Sequence, residues 1–279
     1  MLMKPRRWRP PENRILARLK EIDMDSTPKS TPNRQDAWAK PVKQLETRNI
    51  QADINLNVDG KQLAGPLRGF GQMWRKNYSL SLDGTQVTPQ QVIQVWKEQF
   101  GSFWPKGNRF YGSASGIAPG EVAVLNLAGP YGLMAPGGHG LVSTGVLVIY
   151  SDEESFSFMT PDGHIFAGMI TFSAYEEEGV TIANIQALIR ANDPLYEIGA
   201  RLGVVHQMED EHWHTVLKNL GKHFGMQGSV RQANLLVDPR LQWTQAGNIR
   251  HNAAIYTGIY LALAPFRWVA SKFRRDTGN

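Results

Sequence analysis

The sequence predicts an α+β domain in which one long C-terminal helix covers an antiparallel sheet of about six to seven strands. Three observations carry this. Short segments of alternating or continuous apolar character, Glu121 to Leu127, Val142 to Tyr150, Ser155 to Thr160, Ile165 to Tyr175 and Val180 to Arg190, follow one another closely. The intervals are marked by Ser151-Asp152, Pro161-Asp162-Gly163 and Glu176 to Gly179, which are turn formers. A single helical pattern long enough to cover a sheet face then runs from Asp193-Pro194 to Phe224, closed by Gly225.

Asn77 to Leu82 reads as the first strand, ending at the turn pair Asp83-Gly84. Thr88-Pro89 opens a helix, with the hydroxyl as N-cap and proline at the first helical position. Val92, Val95, Trp96 and Phe100 form its apolar face, and Phe103-Trp104-Pro105 closes it or begins a second short helix. Asn108 to Tyr111 is a further strand candidate. Two of the later strands show strict alternation. Phe166, Ile170, Phe172 and Ala174 share one face, and Ala183, Ile185, Ala187 and Ile189 share another. The long helix carries the stripe Leu202, His206, Glu209, Trp213, Val216, Leu217, Leu220 and Phe224, with Gly203 as a possible bend.

This order of strand, one or two helices, about six strands in meander and a long helix resembles the START and Bet v 1-like superfamily, the helix-grip fold. The resemblance covers residues 75–225 and is one of topology. It implies a curved sheet wrapping the terminal helix, with an apolar cavity between them. It also implies a function among those of the superfamily, whose members bind lipids, sterols or polyketides, catalyse cyclisation or hydrolysis, or act as adaptors.

The expected domains are a basic, proline-rich extension (1–62), the helix-grip domain (63–225) and a basic C-terminal tail (226–279) with an apolar helix over 253–270. Formal charge divides the chain sharply: +6 for residues 1–50, −6 for 51–225 and +5 for 226–279. A nucleic-acid site is expected on the folded domain, so an acidic fold with basic ends disfavours nucleic acid and points to an anionic membrane surface or a protein complex. In the C-terminal segment Tyr256, Tyr260, Phe266 and Trp268 precede Lys272, Arg274 and Arg275, an arrangement suited to an interfacial anchor. Pro265 and Arg267 interrupt it short of the roughly 20 apolar residues of a spanning helix. Packing of this helix on its own domain or a twin subunit is the other reading.

With no cysteine in the chain, disulfides, thiolate catalysis and cysteine-ligated zinc are excluded. No apolar run follows the basic start, so a cytoplasmic protein, peripheral to the inner face of a membrane, is expected. The sequence predicts no cofactor.

Expected cavity-wall residues are Phe158, Phe166, Ile170, Phe172, Ile185, Leu202, His206 and Trp213, around an apolar ligand of unspecified identity. If the protein is an enzyme, His206 and Glu209 are the acid–base pair, facing an open pocket at hydrogen-bond distance. His206, Asp210 and His214, spaced by four, are weak metal candidates; His212 falls on the opposite flank from His214, and His-Glu-x-x-His is absent. The glycine-rich loop Gly129 to Gly140 lacks the ending of a phosphate loop and reads as a surface loop or a lid. A binding protein ranks first, an assembly subunit second and a cyclase- or hydrolase-like enzyme third.

Overall fold

The computed structural model describes residues 36–47, 50, 52 and 54–266. The expected basic start and the short helix Arg14 to Ile22 lie outside the described residues. One antiparallel sheet of eight strands organises the rest: β1 (Met73–Ser81), β2 (Arg109–Tyr111), β3 (Val122–Leu127), β4 (Val142–Ser151), β5 (Ser155–Met159), β6 (Phe166–Glu177), β7 (Val180–Ala191) and β8 (Arg231–Asp238). Their spatial order is β2-β3-β4-β5-β6-β7-β1-β8. Strand β1 therefore closes the meander against β7, with Tyr78 opposite Ile185.

The first helix, α1 (Pro89–Glu98), begins as the sequence predicts. Thr88 accepts from the Gln91 amide and the Gln91 side chain accepts from the Thr88 amide, a complete capping box. Its buried face is Val92, Ile93 and Trp96, and Trp96 packs edge-on against Phe156 and Phe172. A 3-10 turn (Phe100–Phe103) follows. The long helical segment is two helices, α2 (Pro194–Arg201) and α3 (Val204–His223). Gly203, at φ +80°, separates them, because only glycine takes that conformation without strain. On the concave face Val216, Leu217 and Leu220 of α3 pack with Tyr78, Leu80, Phe172 and Ile185.

The expected boundaries at 62 and 225 do not mark where packing starts and stops. Leu45 and Val58 are buried on the convex face with Val122, Val124 and Leu147. With Ala123, Leu125, Val146 and Val148 buried on the concave face, β3 and β4 are covered on both sides. That is why they read as continuous apolar runs and not as alternations. Beyond α3, β8 extends the sheet along β1 with seven of its eight residues exposed. It is tied at one end by Arg190, which donates to Asp238 at 2.6 Å, and at the other by His214 and Gln232, 2.7 Å apart.

The apolar C-terminal segment forms α4 (Ala253–Ala262), and it packs on this chain's own β4. Thr257 is buried and accepts from the Ser143 amide at 3.0 Å; Tyr196 Oη accepts from the Ala254 amide at 3.0 Å. Asn252 caps α4 and donates to Asp193, the N-cap of α2, at 2.8 Å. No helix among the described residues is long and apolar enough to cross a membrane.

Candidate functional site

Between the concave face and α3 lies a cavity of about 500 Å³. The aromatic cluster of Phe100, Phe156, Phe158 and Phe172 fills the α1 end of the concave face. Nothing comparable fills the other end. There the wall is Leu125, Val146, Phe158, Phe166 and Ile170 from the sheet, Phe100 from the 3-10 turn and Trp104 just after it, and Val205, Met208, His212 and Trp213 from α3. Ala187 is a small residue at a cavity-wall position on β7, while Gly168 on β6 lets the two strands approach closely, since a Cβ there would meet Leu188 O at 2.3 Å. The lining residues Lys106, Tyr131, Gly132, Val204 and Glu211 are exposed and mark the opening. The glycine-rich loop thus borders the mouth, and Tyr131 stands there almost fully exposed at φ +56°.

Four of the residues expected at the wall, Phe158, Phe166, Ile170 and Trp213, line the cavity. Phe172 and Ile185 are in the filled core with no accessible surface. Leu202 is not at the cavity: it is 74% exposed, because α2 ends there before Gly203 redirects the chain. His206 is also off the wall, packed against the Trp74 and Phe166 rings beside a separate depression along α3.

The reason for the shift is a buried charge cluster. Lys76 points inward from β1 and is 1% exposed. Its Nζ lies 2.7 Å from Asp210 Oδ1 and 2.9 Å from Glu209 Oε2, the latter an ion-pair distance without hydrogen-bond alignment. Tyr78 donates to the same Asp210 oxygen at 2.6 Å. Burial pushes the Asp210 carboxyl up, but the hydrogen bonds from Lys76 and Tyr78 outweigh it and hold it below the usual range. Burial, and then the neighbouring Glu209 and Asp210 charges, push the Tyr78 phenol well above its ordinary value. Pinning Glu209 and Asp210 to β1 orients α3 so that Val205, Met208 and His212 face the cavity.

The expected acid–base pair is consequently not assembled. His206 Nδ1 is 3.9 Å from Glu209 Oε2, beyond hydrogen-bond reach, and Glu209 is turned to Lys76. Nor do His206, Asp210 and His214 converge, since Asp210 is engaged by Lys76 and His214 by Gln232. No group of three metal-ligating side chains stands together among the described residues.

The cavity residue that sequence reasoning missed is His212. It packs edge-on against Trp104 and Trp213, with ring centroids 4.7 and 4.5 Å away. Part of its surface is accessible, and it forms part of the cavity wall; burial lowers its pKa to about 3, so the imidazole is neutral at physiological pH. His164, also lining the cavity, is lowered to about 4 by burial, against the raising effect of its bond to the Phe166 backbone. His212 lies four residues, one helical repeat, before the buried Val216, a spacing that marks it as a wall residue only once the helix register is known.

No family model matches the chain, and no curated protein matches it either. Solved structures do. Ara h 8.0201 is 12% identical, over 55% of this chain and 97% of its own, with a TM-score of 0.38. Ginseng major latex-like protein 151 from Panax ginseng is 10% identical, over 55% and 99%, at 0.33. The di-domain ARO/CYC StfQ from the steffimycin biosynthetic pathway is 10% identical, over 55% and 50%, at 0.40. The chain's own topology, two short helical elements after β1, an antiparallel meander and a long helix on the concave face, is that of a helix-grip fold.

Proposed function

We propose that this protein binds an apolar or lipid-like molecule in the cavity between the sheet and α3. The observation that supports the reading is the cavity itself. Its volume of about 500 Å³ lies within the range of small-molecule sites, and its wall is predominantly apolar. A void of this size costs stability if it serves no purpose, because the lining side chains lose contacts that a filled core would supply. Native mass spectrometry of the full chain purified gently from cells, followed by organic extraction, is expected to release a stoichiometric apolar compound. Met208→Trp, which places an indole in the cavity wall, is expected to lower the bound fraction about tenfold, corresponding to about 1.4 kcal/mol of lost affinity, without changing the melting temperature. Empty protein that also takes up no added hydrophobic probe would overturn the reading.

A second surface supports association with a membrane. Helix α4 buries Ala253 and Thr257 but exposes Ile255, Tyr256, Ile259 and Leu263, with Phe266 just beyond. Tyr260 is half-buried. Trp268, Lys272, Arg274 and Arg275 lie outside the described residues but follow at once in sequence. An apolar strip with basic residues behind it suits the interface of an anionic membrane, on which a cytoplasmic protein would meet the inner leaflet. The full chain is expected to co-sediment with phosphatidylserine-containing vesicles and to be released by salt, and I259S/F266S to lose most of that binding. Binding that is absent for wild type would favour docking of these segments on partner proteins instead.

A further inference from the structure

The inference that follows rests on the cavity reading. Most polar groups around the cavity are engaged or sealed off. Thr160 donates to backbone carbonyls, Asn108 accepts from the Ala128 amide, and Glu209 is turned to Lys76. Trp104 Nε1 and His212 Nε2 lack partners, but each has less than 1 Å² of accessible surface, so a ligand cannot reach them. His164 differs. It lines the cavity, and its ring keeps accessible surface. Nδ1 faces the Phe166 backbone, with the amide nitrogen at 3.0 Å and the carbonyl oxygen at 3.1 Å. Nε2, at the free end of the ring, has no hydrogen-bond partner among the described residues and, unlike the other two nitrogens, is not sealed off.

The Phe166 backbone decides which ring nitrogen carries the proton. Asn192 donates to the Ile165 carbonyl at 3.0 Å, so the alternation along β6 turns the Phe166 amide and carbonyl away from β7 and toward His164. A protonated Nδ1 would serve the carbonyl, but it would set two N–H groups against each other and orphan the amide. An unprotonated Nδ1 accepts from the amide and leaves only the carbonyl short of a donor, the less costly omission. Burial lowers the pKa to about 4, so the ring holds a single proton at neutral pH, and the amide assigns it to Nε2.

We propose that His164 Nε2–H is the polar anchor of the cavity, a fixed donor for one uncharged acceptor oxygen, a carbonyl or an ether, on the otherwise apolar ligand. Such an oxygen only accepts, which matches a donor whose tautomer the backbone holds. A carboxylate would meet the same N–H without a counter-charge. Lys76 is turned to Glu209 and Asp210, and Lys106 is out at the opening.

Two measurements on the full chain test this. In protein labelled with nitrogen-15 histidine, long-range proton–nitrogen correlation is expected to show His164 protonated at Nε2 and bare at Nδ1, its signals identified by their loss in His164→Asn. Asparagine still accepts from the amide two residues on, as an Asx turn, so this variant keeps the turn into β6 and removes only the Nε2 donor. Binding of pyrene and of 1-acetylpyrene is followed by their emission. His164→Asn is expected to weaken the ketone about tenfold, the loss typical of one buried hydrogen bond, with pyrene far less affected. A proton on Nδ1, or an equal effect on ketone and hydrocarbon, overturns the anchor while the cavity reading stands. If neither probe binds wild type, the cavity reading fails and the anchor with it.

Discussion

Replacing Lys76 with methionine is expected to destabilise the fold by about 3 kcal/mol, near the lower end of what removing one member of a buried ion pair costs. The side chain is 1% exposed, and its ammonium is the counter-charge for both Glu209 and Asp210. Without it two carboxylates remain under α3, one of them 8% exposed, and neither can stay ionised there cheaply. Asp210 is 27% exposed and keeps some contact with water, which places the expected cost at the lower end. In the variant the Asp210 carboxyl loses the Lys76 hydrogen bond that helps hold it low, leaving burial to push it up. The gap between K76M and wild type should therefore narrow as pH falls from 7 to 5, and adding Asp210→Asn should recover part of the loss at neutral pH. Urea denaturation at several pH values measures all three. A K76M cost below about 1 kcal/mol would mean that the cluster does not hold α3 against β1.

Acidification of the wild-type protein is the second large effect. His212 and His164 have folded-state values near 3 and 4, against 6.5 for an unperturbed imidazole, because burial disfavours the charged ring. The unfolded chain thus takes up two protons near pH 6.5 that the folded chain refuses. Their contribution is complete above pH 6.5 and declines as pH falls, by at most about 1.4 kcal/mol per unit per histidine. By pH 5 that amounts to about 2 kcal/mol for each, an upper bound because both rings border a cavity with an opening. Asp210 runs the same way but lower: its depressed value gives stability that is present above 3.8 and lost only below it, outside this window. His212→Leu should reduce the slope between pH 7 and 5 by about half. A flat profile for wild type, or an unchanged slope in the variant, would show that the rings are hydrated.

Much of the fold was legible from local chemistry. Thr88-Pro89 and Asp193-Pro194 both start helices where their hydroxyl and carboxylate can accept from backbone amides. The alternation of Phe166, Ile170, Phe172 and Ala174, and of Ala183, Ile185, Ala187 and Ile189, gave the inward faces of β6 and β7 correctly. Strand β8 was not legible. Arg-Gln-Ala-Asn-Leu-Leu-Val-Asp has no period of two, since neither of its faces is buried. It is a strand because β1 offers an open edge and Arg190 and His214 hold its ends. The start of β1 was missed for a related reason: Trp74-Arg75-Lys76 does not read as a half-buried strand unless the carboxylates that neutralise Lys76 are known.

The candidate site divides in the same way. Sheet positions of the wall could be named from parity alone, so Phe158, Phe166 and Ile170 were accessible to sequence reasoning. Helix positions could not, because a stripe of period 3.6 leaves the rotation of the helix about its axis open within a residue or so. The stripe through His206 and Glu209 and the one through Val205, Met208 and His212 are neighbours on α3, and hydrophobicity does not choose between them. Pairing with Lys76, more than 130 residues earlier in the chain, and the break at Gly203 made the choice.

By itself, then, the sequence determined the α+β class, the order of the meander, the caps and the inward faces of the strands, all of which depend on residues near one another in the chain. Only the tertiary structure decided that Leu45 and Val58 cover the convex face, that α4 docks on β4, and that His212 and not His206 lines the cavity. Those outcomes depend on contacts between distant segments, where burial and counter-charge are properties of the packed whole.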